Sequence, residues 1–180
     1  GYYDKDPIDS SGKYILCHKV SSEYSNMVEP KSAKIGLLSI ERNEFQELTT
    51  TNAMNWQLGS RVQWLDNITI IFNDIVQEVQ CSIMFDINTH KRLIQYQRPF
   101  WDISPDKKYG ASLNFSRIKE KRPGYGYNGK NIDNDDEVLT VFSLDNDTLI
   151  YKISLEEIFK KVNFKNITNK YFYLNHIVWS

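Results

Sequence analysis

Apolar and polar positions alternate along most of this chain, and three times the alternation runs into a polar turn and out again. The segments are "IGLLSIERNEFQEL" from Ile35, "SIMFDINTHKRLIQY" from Ser82 and "LTVFSLDNDTLIYKI" from Leu139. A period of two is the signature of a strand with one face buried, so each segment reads as two strands joined by a hairpin. The turns are predicted near Arg42, Asn88 and Asn146. With Ile40, Ile87 and Leu144 in register, the steps are 47 and 57 residues. Such a period suits a four-stranded propeller blade, the second step carrying an insertion.

A second signal lies between the hairpins. "IDSSGKYILCHKV" from Ile8, "VQWLDNITIIFND" from Val62 and "WDISPDKKYGASLNF" from Trp101 each place a small polar turn ahead of an alternating strand, as the inner strands of successive blades would. The reading is therefore an all-β protein of antiparallel four-stranded blades, one domain over residues 1–180, with blades at roughly 8–61, 62–102 and 103–174. "YLNHIVWS" resembles the approach to another such turn, so about half a propeller is expected. Half a propeller leaves two apolar sheet faces to cover, and the remaining half is favoured as the cover over a second copy or an altered small fold. Helical spacing appears once, in residues 154–164, where Ser154 is the expected N-cap and Glu157 completes a capping box.

Composition narrows the partners. The 180 residues carry 22 basic and 23 acidic side chains, a net charge of −1, so no field of one sign recruits nucleic acid or an anionic membrane. At 41% hydrophobic and 13% aromatic, the chain has the material for a core. It has no apolar run long enough to span a membrane and no leader pattern, and a cytoplasmic location is expected. Cys17 and Cys81 have no metal-site spacing and read as reduced thiols. The sequons at Asn67, Asn114, Asn146 and Asn166 carry little weight in a chain so rich in Asn, Ser and Thr. "DNDDE" at 133–137 lacks the glycine and terminal glutamate of a calcium loop and reads as an acidic turn. No phosphate-binding glycine motif, nucleophile elbow or HExxH is present.

The stretches "NAMNWQLGSRVQWLDNITIIFND", "FWDISPDKKYGASLNFSR", "RPGYGY" and "NHIVWS" resemble uncharacterised bacterial propeller-like proteins of surface-polysaccharide loci. More distantly, "QLGSRVQWL" and "HIVWS" resemble the oligogalacturonate lyase family of seven-bladed propellers. That resemblance implies a divalent metal such as Mn or Ca, with His176 in the place of a histidine ligand and Gln57 or Gln63 supplying an amide oxygen. His90, in a turn, and His18, on a strand, fall outside the pattern, and one matching histidine falls short of a three-histidine site. No cofactor is the leading expectation.

Two groups of residues are candidates for binding. Asn73, Asp74, Arg117, Asn175 and His176 all follow apolar strand segments, where a propeller gathers strand ends around one channel mouth. Alternatively, Asp74 and Arg117 form an ion pair between blades and Asn73 caps a turn. The other group is the break "SLNFSRIKEKRPGYGYNG". There Arg117, Lys119, Lys121 and Arg122 lead into Pro123, and Gly124 and Gly126 free the backbone around Tyr125 and Tyr127. Tyrosine faces stack on sugar rings and guanidinium groups grip carboxylates, so an acidic saccharide is the candidate ligand. The alternative is that these tyrosines pack on their own blade. The leading functional expectation is a binding scaffold for a saccharide or a protein partner, without chemistry of its own. The other is a metal-dependent polysaccharide lyase or another carbohydrate-active enzyme.

Overall fold

The computed structural model describes residues 4–21, 30–162 and 172–179. Its strands form three antiparallel meanders in chain order. The first contains β1 (Tyr14–Lys19), β2 (Ala33–Ser39) and β3 (Phe45–Thr51). The second contains β4 (Gln63–Trp64), β5 (Thr69–Val76), β6 (Val79–Asp86) and β7 (Lys91–Tyr96), and the third β8 (Asp102–Ile103), β9 (Tyr109–Leu113), β10 (Glu137–Ser143) and β11 (Leu149–Ser154). Each of the last two sheets opens on a two-residue strand, and in the first an isolated bridge from Ile8 to Ile15 takes that place. This is the plan of successive propeller blades, a short inner strand followed by three longer ones.

The repeat seen in the sequence recurs in the backbone. Three residues beyond Ile40, Ile87 and Leu144 stand Asn43, His90 and Asp147, with φ of 54°, 55° and 59°. Each outer hairpin thus turns on one left-handed residue at the same position. The inner turns are closed by side chains: Asp9 accepts from the Lys13 and Tyr14 N–H groups, Asp66 from Ile68 and Thr69, and Ser104 Oγ from Lys108 and Tyr109. The longer second step arises between β9 and β10, where residues 114–136 replace the two-residue turn Gln77–Glu78 that joins β5 to β6.

The sheets pack face to face. Leu16, Ile35, Leu37 and Leu48 meet Ile70, Phe72, Ile83 and Phe85 between the first two sheets, while Ile71 and Tyr96 meet Phe100, Ile103, Phe142 and Leu144 between the second and third. β5 is covered on both faces, which is why "IIF" is continuously apolar where other strands alternate. Cys17 and Cys81 are free thiols. Among the described residues no helix is long and apolar enough to cross a membrane.

Two helices interrupt the sheets. α2 (Leu155–Val162) has the predicted capping box: Ser154 Oγ accepts from the Glu157 N–H at 3.2 Å and Glu157 Oε2 accepts from the Ser154 N–H at 2.8 Å. The last two residues of the predicted helix, and Asn166, lie outside the described residues. α1 (Phe115–Lys121) corrects the sequence reading, which extended a strand through "SLNFS" to Arg117. The strand stops because Asn114 turns its carboxamide back onto the Arg117 N–H at 2.9 Å, capping a helix that buries Phe115 and Ile118.

Candidate functional site

One end of the sheets carries the linkers 52–62 and 97–101, the turn at Gln77–Glu78, the 114–136 insertion and residues 172–179. Most of the residues predicted to bind a ligand lie here, but the fold uses many of them internally. Asn73, at 0% exposure, donates to the Phe100 carbonyl and to Tyr127 Oη, and accepts from the Phe100 N–H. Asp74 pairs with Arg92 at 2.9 Å, in place of the suggested Arg117, and accepts from the Asn52 N–H, tying the second sheet to the end of the first. Arg117 is on α1 and donates through Nε to the Phe172 carbonyl at 2.6 Å, so it fastens 172–179 and does not face Asp74.

The glycines of the insertion differ: Gly124 borders open space, while Gly126 packs Tyr127 inward, the alternative left open by the sequence. At Gly126, φ is +73° and a Cβ would stand 2.2 Å from the Phe115 carbonyl oxygen. Only glycine permits that approach, and it tucks Tyr127 inward to 1% exposure. Tyr127 stacks on Phe115 at 4.7 Å, Phe115 on Trp101 at 5.8 Å, and the Arg61 guanidinium lies 4.9 Å over Trp101. Burial pushes the Tyr127 hydroxyl above its ordinary value, so it stays a neutral donor to the Gly59 carbonyl. Tyr125 is half-buried; the exposed Arg122 lies 4.1 Å over its ring, and its hydroxyl donates to Gln57 Oε1 at 3.4 Å.

The three residues implied for a metal have separate surroundings. His176 is exposed and sets its ring edge-on to Trp101 at 5.4 Å; Gln57 accepts from Tyr125; Gln63 is buried in β4. Among the described residues no group of three or more His, Cys, Asp or Glu side chains is placed to hold a metal ion. Asn175 Oδ1 is buried, with no hydrogen-bond partner among the described residues.

Beside this packed end opens a cleft of about 480 Å³ between residues 4–7, the edge of β1 and the 54–62 turn. Asp4, Lys5, His18, Trp56 and Arg61 give it its polar and aromatic lining. The 54–62 turn is built by Asn55, whose Oδ1 accepts from the Gln57 and Leu58 N–H groups and whose Nδ2 reaches the Gly126 carbonyl. The turn leaves Arg61 in the left-handed region, at φ 56°, a costly conformation for a residue with a Cβ. Its side chain is 2% exposed, donates through Nε to the Trp101 carbonyl at 2.9 Å, and meets Asp4 with Nη1 at 3.3 Å and Nη2 at 2.6 Å. Burial raises the Asp4 carboxyl, but the hydrogen bond and charge of Arg61 outweigh it and hold the group below the usual 3.8. Lys5 pairs with Asp102 alongside.

His18 meets Ser60 across the same turn. Nε2 lies 3.3 Å from the Ser60 N–H and 2.7 Å from Ser60 Oγ; the N–H only donates, so Nε2 carries the lone pair and the ring is neutral. Burial lowers His18 to about 4, in agreement with that state. Ser60 is fully buried, so the pair positions the turn and presents no accessible nucleophile. Sequence reasoning passed over Arg61, Trp56 and Asp4, and set His18 aside as outside the metal pattern. The available signal was a Trp and an Arg flanking the glycine in "WQLGSR", within a stretch already singled out for its resemblance to other propellers.

No family model matches the chain. No curated protein matches it. Among solved structures it is similar to the β-propeller domain of the Trilobed protease from Pyrococcus furiosus, which has an open velcro topology. The TM-score is 0.46 at 10% identity, over 81% of this chain and 41% of the other, so the chain spans about two fifths of the structure it matches.

Proposed function

We propose that this chain is a propeller-type binding module without chemistry of its own, and that its ligand is an acidic saccharide held in the cleft beside the 54–62 turn. The observation that carries this reading is Arg61: a guanidinium fixed in the lining of a cleft by a tryptophan ring and a backbone carbonyl, with its two Nη groups already meeting a carboxylate, that of Asp4. Trp56, at 42% exposure on the same cleft, supplies an aromatic face of the kind that sugar rings stack on. Gln57, next in the chain, accepts from the half-buried Tyr125, and the exposed Arg122 over that ring would extend the surface for a longer oligosaccharide.

Calorimetric titration with trigalacturonate, and with maltotriose as the uncharged control, tests the reading. Trigalacturonate binds and maltotriose binds more weakly or not at all; Trp56→Ala weakens the trigalacturonate affinity about 3- to 10-fold, the range of one aromatic contact. Equal affinity for the two sugars, or no effect of Trp56→Ala, contradicts it.

A further inference from the structure

The Arg61–Asp4 pair is asymmetric. Arg61 is built into the fold: its side chain is 2% exposed and its anchors besides Asp4 include the Trp101 carbonyl and the Trp101 ring. Asp4 comes from the surface, with a side chain 30% exposed. Residues 4–7 are fastened downstream of it, since the Pro7 carbonyl accepts from the Leu16 N–H at 2.8 Å and from Trp64 Nε1 at 3.2 Å, and Lys5 holds Asp102. The Asp4 carboxylate meets Arg61 through its own short side chain, so a rotation of that side chain would release Arg61 while Asp102 stays paired and Arg61 keeps its position. The cleft's arginine would then present the same two Nη groups to whatever entered.

We propose that Arg61 is the cleft's carboxylate anchor and that Asp4 occupies it as an internal stand-in, which the carboxylate of an incoming ligand displaces. The proposal takes its ligand class, a uronate, from the function proposed above. A buried guanidinium cannot be left unpaired without a large penalty, so a site of this kind needs a resident counter-charge when empty. A tethered carboxylate provides one and lowers the apparent affinity of any competitor by the fraction of time it sits in place. Its geometry also specifies the competitor: a planar carboxylate meeting two parallel N–H groups.

The test compares the wild type with Asp4→Asn, which keeps the shape and removes the charge. Melting temperature and calorimetry are read with sodium acetate, trigalacturonate and maltotriose, against sodium chloride at equal ionic strength. Asp4→Asn melts lower than the wild type, acetate and trigalacturonate restore its melting temperature more than they raise the wild type's, and trigalacturonate binds it about tenfold tighter. Rescue by acetate without trigalacturonate binding supports the anchor and removes the saccharide reading. Trigalacturonate binding of equal strength to both proteins keeps the saccharide and overturns the stand-in. No rescue and no binding by any carboxylate overturns both. Arg61→Lys, which keeps the charge and loses the fork, weakens trigalacturonate at least tenfold; should it not fold, the Asp4→Asn comparison still decides.

Discussion

The carboxamide of Asn73 is bonded to both backbone groups of Phe100: Nδ2 donates to the Phe100 carbonyl at 2.8 Å and Oδ1 accepts from the Phe100 N–H at 2.8 Å. Asn73 lies inside β5, which runs on to Val76 and does not end at the apolar run as the sequence suggested, and its side chain replaces a missing strand partner for the linker that starts the next sheet. The same Nδ2 reaches Tyr127 Oη at 3.3 Å, so one residue joins the second sheet, its linker and the 114–136 insertion.

Asn73→Ala would leave the buried N–H and carbonyl of Phe100 without partners, at a cost of about 2–4 kcal/mol. Asn73→Asp would remove the donor and add a buried charge, and is expected to be worse. Urea denaturation checks both; a midpoint shift in Asn73→Ala equivalent to under about 0.5 kcal/mol would show that the clasp is replaceable.

The insertion gives a contrast between two glycines. Gly124→Ala meets open space and suffers only the left-handed backbone penalty, roughly 1 kcal/mol. Gly126→Ala drives a methyl into the Phe115 carbonyl oxygen and the Lys119 amide, and should cost at least about 2 kcal/mol while loosening Tyr127. Thermal melts of the two variants rank them; equal shifts would contradict the packing assigned to this loop.

Stability should depend on pH through His18. Burial lowers it to about 4 in the fold against 6.5 in the unfolded chain, so the unfolded chain takes up the proton first. Its contribution is complete above pH 6.5, is lost as pH falls toward about 4, and is constant below that. At about 1.4 kcal/mol per unit, discounted for partial exposure, the loss is about 2 kcal/mol. His18→Gln should remove that part of the slope between pH 6.5 and 4, and an unchanged slope would contradict a ring held neutral in the fold.

The blade pattern was legible in the sequence because it is set by local alternation and turn chemistry. Ile40, Ile87 and Leu144 marked a period that Asn43, His90 and Asp147 repeat in the backbone. The capping box of α2 was legible for the same reason. α1 was not: in seven residues it buries Phe115 and Ile118, too few for a helical period to stand out after the strand-like "SLN". Nor could sequence reasoning foresee that Gly126 turns Tyr127 inward, since the same glycine suits an exposed loop and a close backbone approach. Asp74 has Arg92 as its partner and Arg61 has Asp4, 57 residues away, and no local signal specifies such pairs. The candidate site moved accordingly, from a basic loop whose groups are largely spent on structure to the cleft beside it.

The central claim is that the ligand's carboxylate is held by Arg61 in that cleft. A crystal structure of Asp4→Asn grown with trigalacturonate tests it most directly. The account predicts a sugar carboxylate within hydrogen-bond distance of Arg61 Nη1 and Nη2, with a sugar ring against Trp56. Saccharide bound only at Arg122 and Tyr125, with the Arg61 cleft unoccupied by it, would contradict the account.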